Sequence, residues 1–248
     1  MDSIISLTNK LYIVTGAGSG IGSETSRVLA NQGAKVIMMD INAEGLTKTA
    51  SICGECCCPM TVDLTDASAV AEAVAKIVEK RGKLDGLVHC AGISSRKPMN
   101  VLSKDGFSKV MDVNFYSFVE LVKQCAKKKH INDGASIVVM SSISSVRGFK
   151  SKAEYCVSKA AVDAFVRCMA LELANRRIRV NSVMPAAVNT PMGQKARIIN
   201  AAVGAVEIAA PLGITEPYEV ANTIAFLLSD ATKTITGTSI LIDGGACI

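Results

Sequence analysis

The chain has 248 residues, enough to bury roughly three quarters of its unfolded surface and to build a core without disulfide or metal staples. Its residues are 49% hydrophobic but only 4% aromatic, so the core must come from Ala, Val, Ile, Leu and Met, which suits helices packed on a parallel sheet. The net charge of +5 is too modest and too scattered for a nucleic-acid partner, and no stretch reaches the roughly 18 apolar residues of a membrane span.

The single dense basic run, Lys123 to His130, falls at the end of an expected helix, where cations complement the helix dipole. Nine cysteines form an odd count, and Met1 to Asn9 carries Asp2 and no apolar leader core. Free thiols in a reducing cytoplasmic setting are the expectation. Cys53 and Cys56 have C-x-x-C spacing within the cluster Cys53 to Cys58, but a closed structural zinc site needs a second, separated ligand pair. Small apolar packing near a strand start is preferred over a metal or redox site, and no metal is expected.

In chain order, Leu11–Thr15 is a β-branched, apolar strand ending in Gly16-Ala17-Gly18-Ser19-Gly20-Ile21-Gly22. A helix pattern runs from Glu24 to Gln32, Gly33 stops it, and a second strand, Lys35–Asp40, ends in a carboxylate. This is a β-α-β unit with a glycine-rich turn at the first strand-helix junction. Such a turn lets the backbone approach a pyrophosphate, whose charge then sits over the helix N-terminus. Asp40 lies eighteen residues beyond Gly22. A carboxylate there accepts hydrogen bonds from ribose hydroxyls and repels a 2′-phosphate. No Arg or Lys occupies Ala17, Ser19 or Ile41 to attract that phosphate. NAD is therefore the expected cofactor, in preference to NADP.

A third strand is expected over Cys58–Val62, followed by Asp63 and Leu64. Asp66 reads as the N-cap of a helix over 67–81. The fourth strand, Gly86–His89, runs into Cys90-Ala91-Gly92, small residues that let the backbone lie close to a cofactor. One long helix is expected from about Lys104 to Lys129, with Asn114 in an apolar setting. A fifth strand, Ser136–Met140, delivers Ser141 and Ser142 to its C-terminal end, the edge where open α/β sheets bind ligands. On the next helix Tyr155 and Lys159 stand four residues apart and so share a face. A cation beside a phenol favours the phenolate and draws its pKa toward the working range. The sixth strand is Arg179–Pro185. The segment 187–214 has weak periodicity, no strand and apolar residues such as Met192, Ile198, Ile199, Val203, Val206 and Ile208, the pattern of a mobile substrate lid. A helix over 216–229 and a strand, Ser239–Asp243, close the chain as one domain.

Taken together and in this order, Thr15-Gly16-x-x-x-Gly20-Ile21-Gly22, Asn114, Ser142 and Tyr155-x-x-x-Lys159 resemble the short-chain dehydrogenase/reductase family over essentially the whole chain. The resemblance implies an α/β fold: a single-domain, Rossmann-type, doubly wound parallel sheet with helices on both faces. It also implies roles. Tyr155 is the general acid or base, Lys159 binds the nicotinamide ribose and depresses the Tyr155 pKa, and Ser142 holds the substrate oxygen. Asn114 kinks its helix and holds a water in a relay to Lys159. Gly16, Ser19, Gly20, Ile21 and Asp40 bind the dinucleotide, Asp63 and Leu64 flank the adenine, Ala91 and Gly92 lie close to the cofactor, and Val188 and Thr190 lie near the carboxamide. A homotetramer is implied as well. Two departures stand out: His89-Cys90 replaces the common Asn-Asn, and Pro185-Ala186 replaces the common Pro-Gly. The expected reaction is hydride transfer between NAD(H) and a hydrophobic secondary alcohol or ketone, with steroids among the candidates. The alternatives are an NADPH-dependent 3-oxoacyl-carrier-protein reductase, with a basic patch from Arg96, Lys97, Arg147, Lys150 or Lys152, and a non-catalytic dinucleotide sensor or scaffold.

Overall fold

A computed structural model describes residues 5–202 and 210–248. Seven strands form one parallel sheet in the order β3-β2-β1-β4-β5-β6-β7. They are β1 (Leu11–Thr15), β2 (Lys35–Asp40), β3 (Cys57–Thr61), β4 (Leu84–His89), β5 (Ile131–Met140), β6 (Arg179–Pro185) and β7 (Ser239–Ile242). The connections run one way from β1 to β3 and the other way from β4 onward. The crevice between β1 and β4 is thus the topological switch point, where open α/β sheets bind ligands.

Alternation along the strands sorts side chains to the two faces. Leu11, Ile13, Ile137 and Val139 pack with α3 (Ala67–Arg81), α5 (Ser117–Cys125) and α6 (Ala153–Glu172), chiefly through Val74, Phe118, Leu121, Val162 and Val166. Tyr12, Val14, Val138 and Met140 pack with α1 (Gly20–Asn31), α2 (Ala43–Cys53) and α8 (Pro217–Leu228) through Leu29, Leu46 and Ile224. Asp66 caps α3 as expected, its carboxylate accepting from the Ser68 and Ala69 amides.

Two expectations need correction. The single helix over 104–129 is three pieces: α4 (Lys104–Met111), a π-helical turn over Asp112–Tyr116, and α5, which stops at Cys125. Periodicity could not reveal the wider turn, because one extra residue shifts the apolar face without erasing it. Within 187–214 the described residues also hold structure that the pattern did not mark. Val188 bridges Thr215, and a helix, α7 (Pro191–Ala202), follows at once. Val203, Val206 and Ile208 lie outside the described residues. Elsewhere strand ends move by a few residues: the third strand is Cys57–Thr61, not Cys58–Val62, and the fifth begins at Ile131. Among the described residues no helix is long and apolar enough to cross a membrane.

Candidate active site

A cleft of about 1580 Å³ opens along the C-terminal edge of the sheet. One end of it begins at the glycine turn. Gly16 has φ +64°, and a β-carbon on it would lie 2.7 Å from the Ala91 amide nitrogen. Only glycine allows β1 and β4 to release their chains side by side here. Gly16, Ser19, Gly20 and Ile21 all line the cleft. Thr190 reaches over the turn, its methyl 3.3 Å from where a β-carbon on Gly20 would sit. The Val188–Thr190 segment is thereby brought onto the glycine loop from 170 residues away in the chain.

Asp40 lines the same end. Its carboxylate is aimed by two backbone donors, the Gly18 amide at 2.9 Å and the Asn42 amide at 2.9 Å. Each carboxylate oxygen keeps a free lone pair. Asp63 and Leu64 lie along the cleft beyond it, with Asp63 exposed and turned by the Thr65 amide and hydroxyl.

At the other end, four elements converge on α6. Gly92 forms the floor: a β-carbon there would sit 3.2 Å from Asn114 Oδ1 and 3.7 Å from Lys159 Nζ. Asn114 is fully buried and both ends of its amide are used. Oδ1 accepts from the Ile93 amide at 2.7 Å, while Nδ2 donates to the Ile93 carbonyl and the Ser158 hydroxyl at 3.0 Å each. The π-helical turn places it there. Lys159 donates to the Met140 carbonyl at 2.7 Å, and its ammonium lies 5.8 Å from the Tyr155 ring centroid. Tyr155 is half-buried in the cleft wall beside Ser142.

The electrostatics depart from the expected pattern in one respect. Burial pushes the Tyr155 phenol above the ordinary tyrosine range, and a hydrogen bond with Ser142, not the Lys159 charge, supplies the downward pull. The Lys159 ammonium is bound to the Met140 carbonyl and is held off the phenol, which explains why it contributes so little. Burial also draws Lys159 itself down to about 8, against upward pulls from Cys90 and Asp163. Tyr155 therefore carries its proton at neutral pH.

Sequence reasoning missed two supports of this site. Glu154 is buried, accepts from Ser95, and pairs with Lys97 at 3.2 Å. It pins the first turn of α6 to the loop after β4. A carboxylate in a helix's first turn was the visible signal, but its partners lie more than fifty residues away. The other is His89. Its Nδ1 lies 2.9 Å from the Thr15 hydroxyl and its Nε2 lies 3.3 Å from the Ser117 hydroxyl. Ser117 donates to the Val113 carbonyl at 2.6 Å, and Thr15 Oγ1 accepts from the Ala91 amide at 3.3 Å. Donors and acceptors then resolve in one way: Thr15 donates to Nδ1, and Nε2–H donates to Ser117. This neutral imidazole ties the cofactor floor to the π-helical turn that carries Asn114. Burial first, and then the Lys159 charge, hold it down to about 3.

The cysteine cluster stands apart, at the opposite end of the sheet where β3 begins. Cys53 and Cys57 hydrogen-bond to one another, which holds the Cys53 thiol below and the Cys57 thiol above the ordinary range. All nine cysteines are free, and no group of three or more His, Cys, Asp or Glu among the described residues could hold a metal ion.

The family model described as enoyl-(acyl carrier protein) reductase matches residues 16–247. The chain belongs to the short-chain dehydrogenase/reductase family. It is 35% identical over 248 residues to the 3-oxoacyl-(acyl-carrier-protein) reductase of Thermotoga maritima, covering 98% of this chain and 99% of that one. It is 30% identical to an NAD-dependent glycerol dehydrogenase of Listeria innocua, covering 100% of this chain and 97% of that one. A solved dehydrogenase/reductase from Sinorhizobium meliloti superposes with a TM-score of 0.90 at 31% identity, covering 98% of this chain and 97% of that one. The protein is thus an oxidoreductase that uses a nicotinamide dinucleotide on carbinol or carbonyl groups.

The His89 geometry generates a stability prediction. Its folded pKa lies below the unfolded value of about 6.5, so its contribution is complete above that pH and is lost as pH falls toward 3. Between pH 7 and pH 5 the loss should be about 2 kcal/mol from this group. Urea titrations at the two pH values should show His89→Asn losing less stability on acidification than the parent, by about that amount. Equal acid sensitivity in the two proteins would contradict the assignment.

Proposed function

We propose that this oxidoreductase is an NAD(H)-dependent alcohol dehydrogenase or ketone reductase, with Tyr155 as the group that moves the proton. The observation carrying this reading is the placement of Tyr155. It is half-buried beside Ser142, one turn before Lys159, in the cleft that also holds the glycine turn and Asp40. These residues fit a dinucleotide: a backbone cradle cleared of β-carbons at Gly16 and Gly92, and an oriented carboxylate where an adenosine ribose would lie. Bound nicotinamide would give or take the hydride. Ser142 and Tyr155 hold the reacting oxygen, and Tyr155, protonated at neutral pH, gives it a proton in the reducing direction. Lys159 holds the nicotinamide ribose. Asn114 fixes the backbone of Ile93 on the cleft floor. In the oxidising direction Tyr155 must first lose its proton, and a water on the Asn114 backbone linked to Lys159 is the route we assign to it.

Asp40 selects NAD over NADP by offering ribose hydroxyls an acceptor and repelling a 2′-phosphate. The NAD-dependent Listeria relative is consistent with that choice. The substrate end carries apolar Ile93, Ile143, Ala186, Met192 and Ile199, with Arg96, Lys150 and Lys152 also lining the cleft, and we assign it a hydrophobic secondary alcohol or ketone. Helix α7 is the covering lid, although Ile198 turns 71% of its surface to solvent rather than to the cleft. A homotetramer is part of the proposal, built on the helices around Asn114 and Tyr155 and on β7. Exposed Tyr116, Val157, Leu171 and Leu241 supply apolar contacts for it. We place the enzyme in the cytoplasm, as its cysteine usage led us to expect. The second reading, an NADPH-dependent 3-oxoacyl-carrier-protein reductase, is favoured by the Thermotoga relative and opposed by Asp40.

Two measurements test this function. In paired fluorescence titrations, NADH should bind at least tenfold tighter than NADPH, about 1.4 kcal/mol, and Asp40→Ala should erase most of the gap. A preference for NADPH would promote the carrier-protein reductase. For a panel of hydrophobic ketones with NADH, Tyr155→Phe should lose on the order of 10²–10⁴-fold in kcat while retaining NADH affinity. Unchanged turnover would remove Tyr155 from the mechanism.

A further inference from the structure

One buried carboxyl group near the site has no role in the function proposed for it. Asp163 stands on α6, one turn beyond Lys159 and two turns beyond Tyr155, so the three side chains follow one face of the helix. It is only 5% exposed. Its Oδ2 accepts from the Ser141 hydroxyl at 2.8 Å, and Oδ1 accepts from Ser182 at 2.7 Å. The Ser239 hydroxyl lies 3.2 Å from Oδ1 and 2.7 Å from Ser182 Oγ. Three serines, from the end of β5, from β6 and from β7, are thus gathered on one carboxylate. Its ion pairs with Arg or Lys are absent among the described residues. A carboxylate removed from water in this way is costly unless a positive charge offsets it.

We propose that Asp163 is a positioning residue for Lys159: it is the buried counter-charge that keeps the ammonium charged, and its serine clamp fixes that charge to the ends of β5, β6 and β7. Resting on the function proposed above, this adds a positioning residue to Asn114, Ser142, Tyr155 and Lys159. The titratable neighbours of Lys159 are few. Tyr155 and Asp163 face it from its own helix, and Cys90 and His89 face it from the end of β4, while β5 offers only the neutral Met140 carbonyl. His89 stays neutral, and burial holds the Cys90 thiol up at about 12. Asp163 is therefore the one carboxylate among these neighbours, and with Cys90 it opposes the pull of burial on Lys159. The clamp also reaches Lys159 through the chain. Ser141 directly follows Met140, whose carbonyl receives the ammonium, so one short stretch of β5 is held by Asp163 and by Lys159 together.

The test separates charge from structure. NADH affinity is measured against pH for the parent, for Asp163→Asn and for Ser182→Ala. In the parent, affinity should fall as Lys159 loses its proton. In Asp163→Asn, whose amide can still bond rotated serine hydroxyls, the fall should begin about one pH unit lower. Ser182→Ala loosens the clamp but leaves the charge, so it should lower the melting temperature without moving the midpoint. An unmoved midpoint in Asp163→Asn, or an equal shift in Ser182→Ala, overturns the proposal. A second measurement needs neither cofactor nor turnover: thermal unfolding of Lys159→Met, Asp163→Asn and the double variant. If the two charges compensate one another, the double variant is more stable than the sum of the single losses predicts, and it folds even if Asp163→Asn alone does not. Additive losses, or a double variant no better folded than its parents, overturn the assignment. A parent that binds no NADH would sink the proposed function and leave this cycle to decide on Asp163.

Discussion

A buried ammonium must be satisfied from every side, and most of the site follows from how Lys159 meets that demand. Water cannot solvate it, so the Met140 carbonyl takes one hydrogen at 2.7 Å and the protein must surround it with small or polar groups. Gly92 keeps the floor low enough for the ammonium and the Asn114 amide to share it. The π-helical turn exists at the level where Asn114 must point inward, and its amide is saturated by Ile93 and Ser158. None of these contacts is strong alone. Together they surround the lysine where it lines the cleft.

Burial acts on the two titrating groups of α6 in opposite directions. It disfavours the phenolate of Tyr155 and disfavours the ammonium of Lys159, so both lean toward their neutral forms. A site made only of desolvation would end with a neutral pair and little leverage on a carbonyl. The polar neighbours set the balance. Ser142 favours the phenolate from one side, and Asp163 favours the ammonium from the other. The strand ends supply both, Ser142 just past β5 and the serine clamp from β5, β6 and β7. The sheet edge therefore does more than present residues: its serine hydroxyls bond the polar groups of the helix packed on it.

Much of this was legible in the chain, and the boundary has a physical cause. The glycine turn, Asp40, Ser142 and the Tyr155–Lys159 pair are local patterns tied to strand ends, and the fold brings them to one cleft. The seven strands and several helices followed from periodicity, which is also local, but α2, between Asp40 and the third strand, was not read. The long-range groups were invisible. Thr15 and His89 are 74 residues apart, Ser141 and Asp163 are 22, and Ser239 and Asp163 are 76. No window on the sequence contains both partners. Asp163 itself was in view, four residues after Lys159, but an acid at that spacing reads equally well as a solvated helix face until the sheet is laid against it. Helix α7 was missed because Pro191 to Ala202 carries only Met192 and the pair Ile198-Ile199 as large apolar residues, amid small and polar ones, too little to mark a face.

His89 shows how a departure from the family pattern can leave the architecture intact. An asparagine amide offers one acceptor and one donor group on a planar frame. A neutral imidazole also offers one acceptor and one donor, on opposite sides of its ring. With Thr15 donating to Nδ1 and Ser117 receiving from Nε2, the ring bridges the two places where the cofactor floor and the Asn114 turn need connecting. Ser117 completes the exchange by returning its own hydrogen to the Val113 carbonyl inside the π-helical turn. The stacking of Phe118 on the ring, with centroids 5.3 Å apart, fills the space around it with apolar surface. That burial disfavours the protonated ring, so the neutral imidazole stands in for an amide.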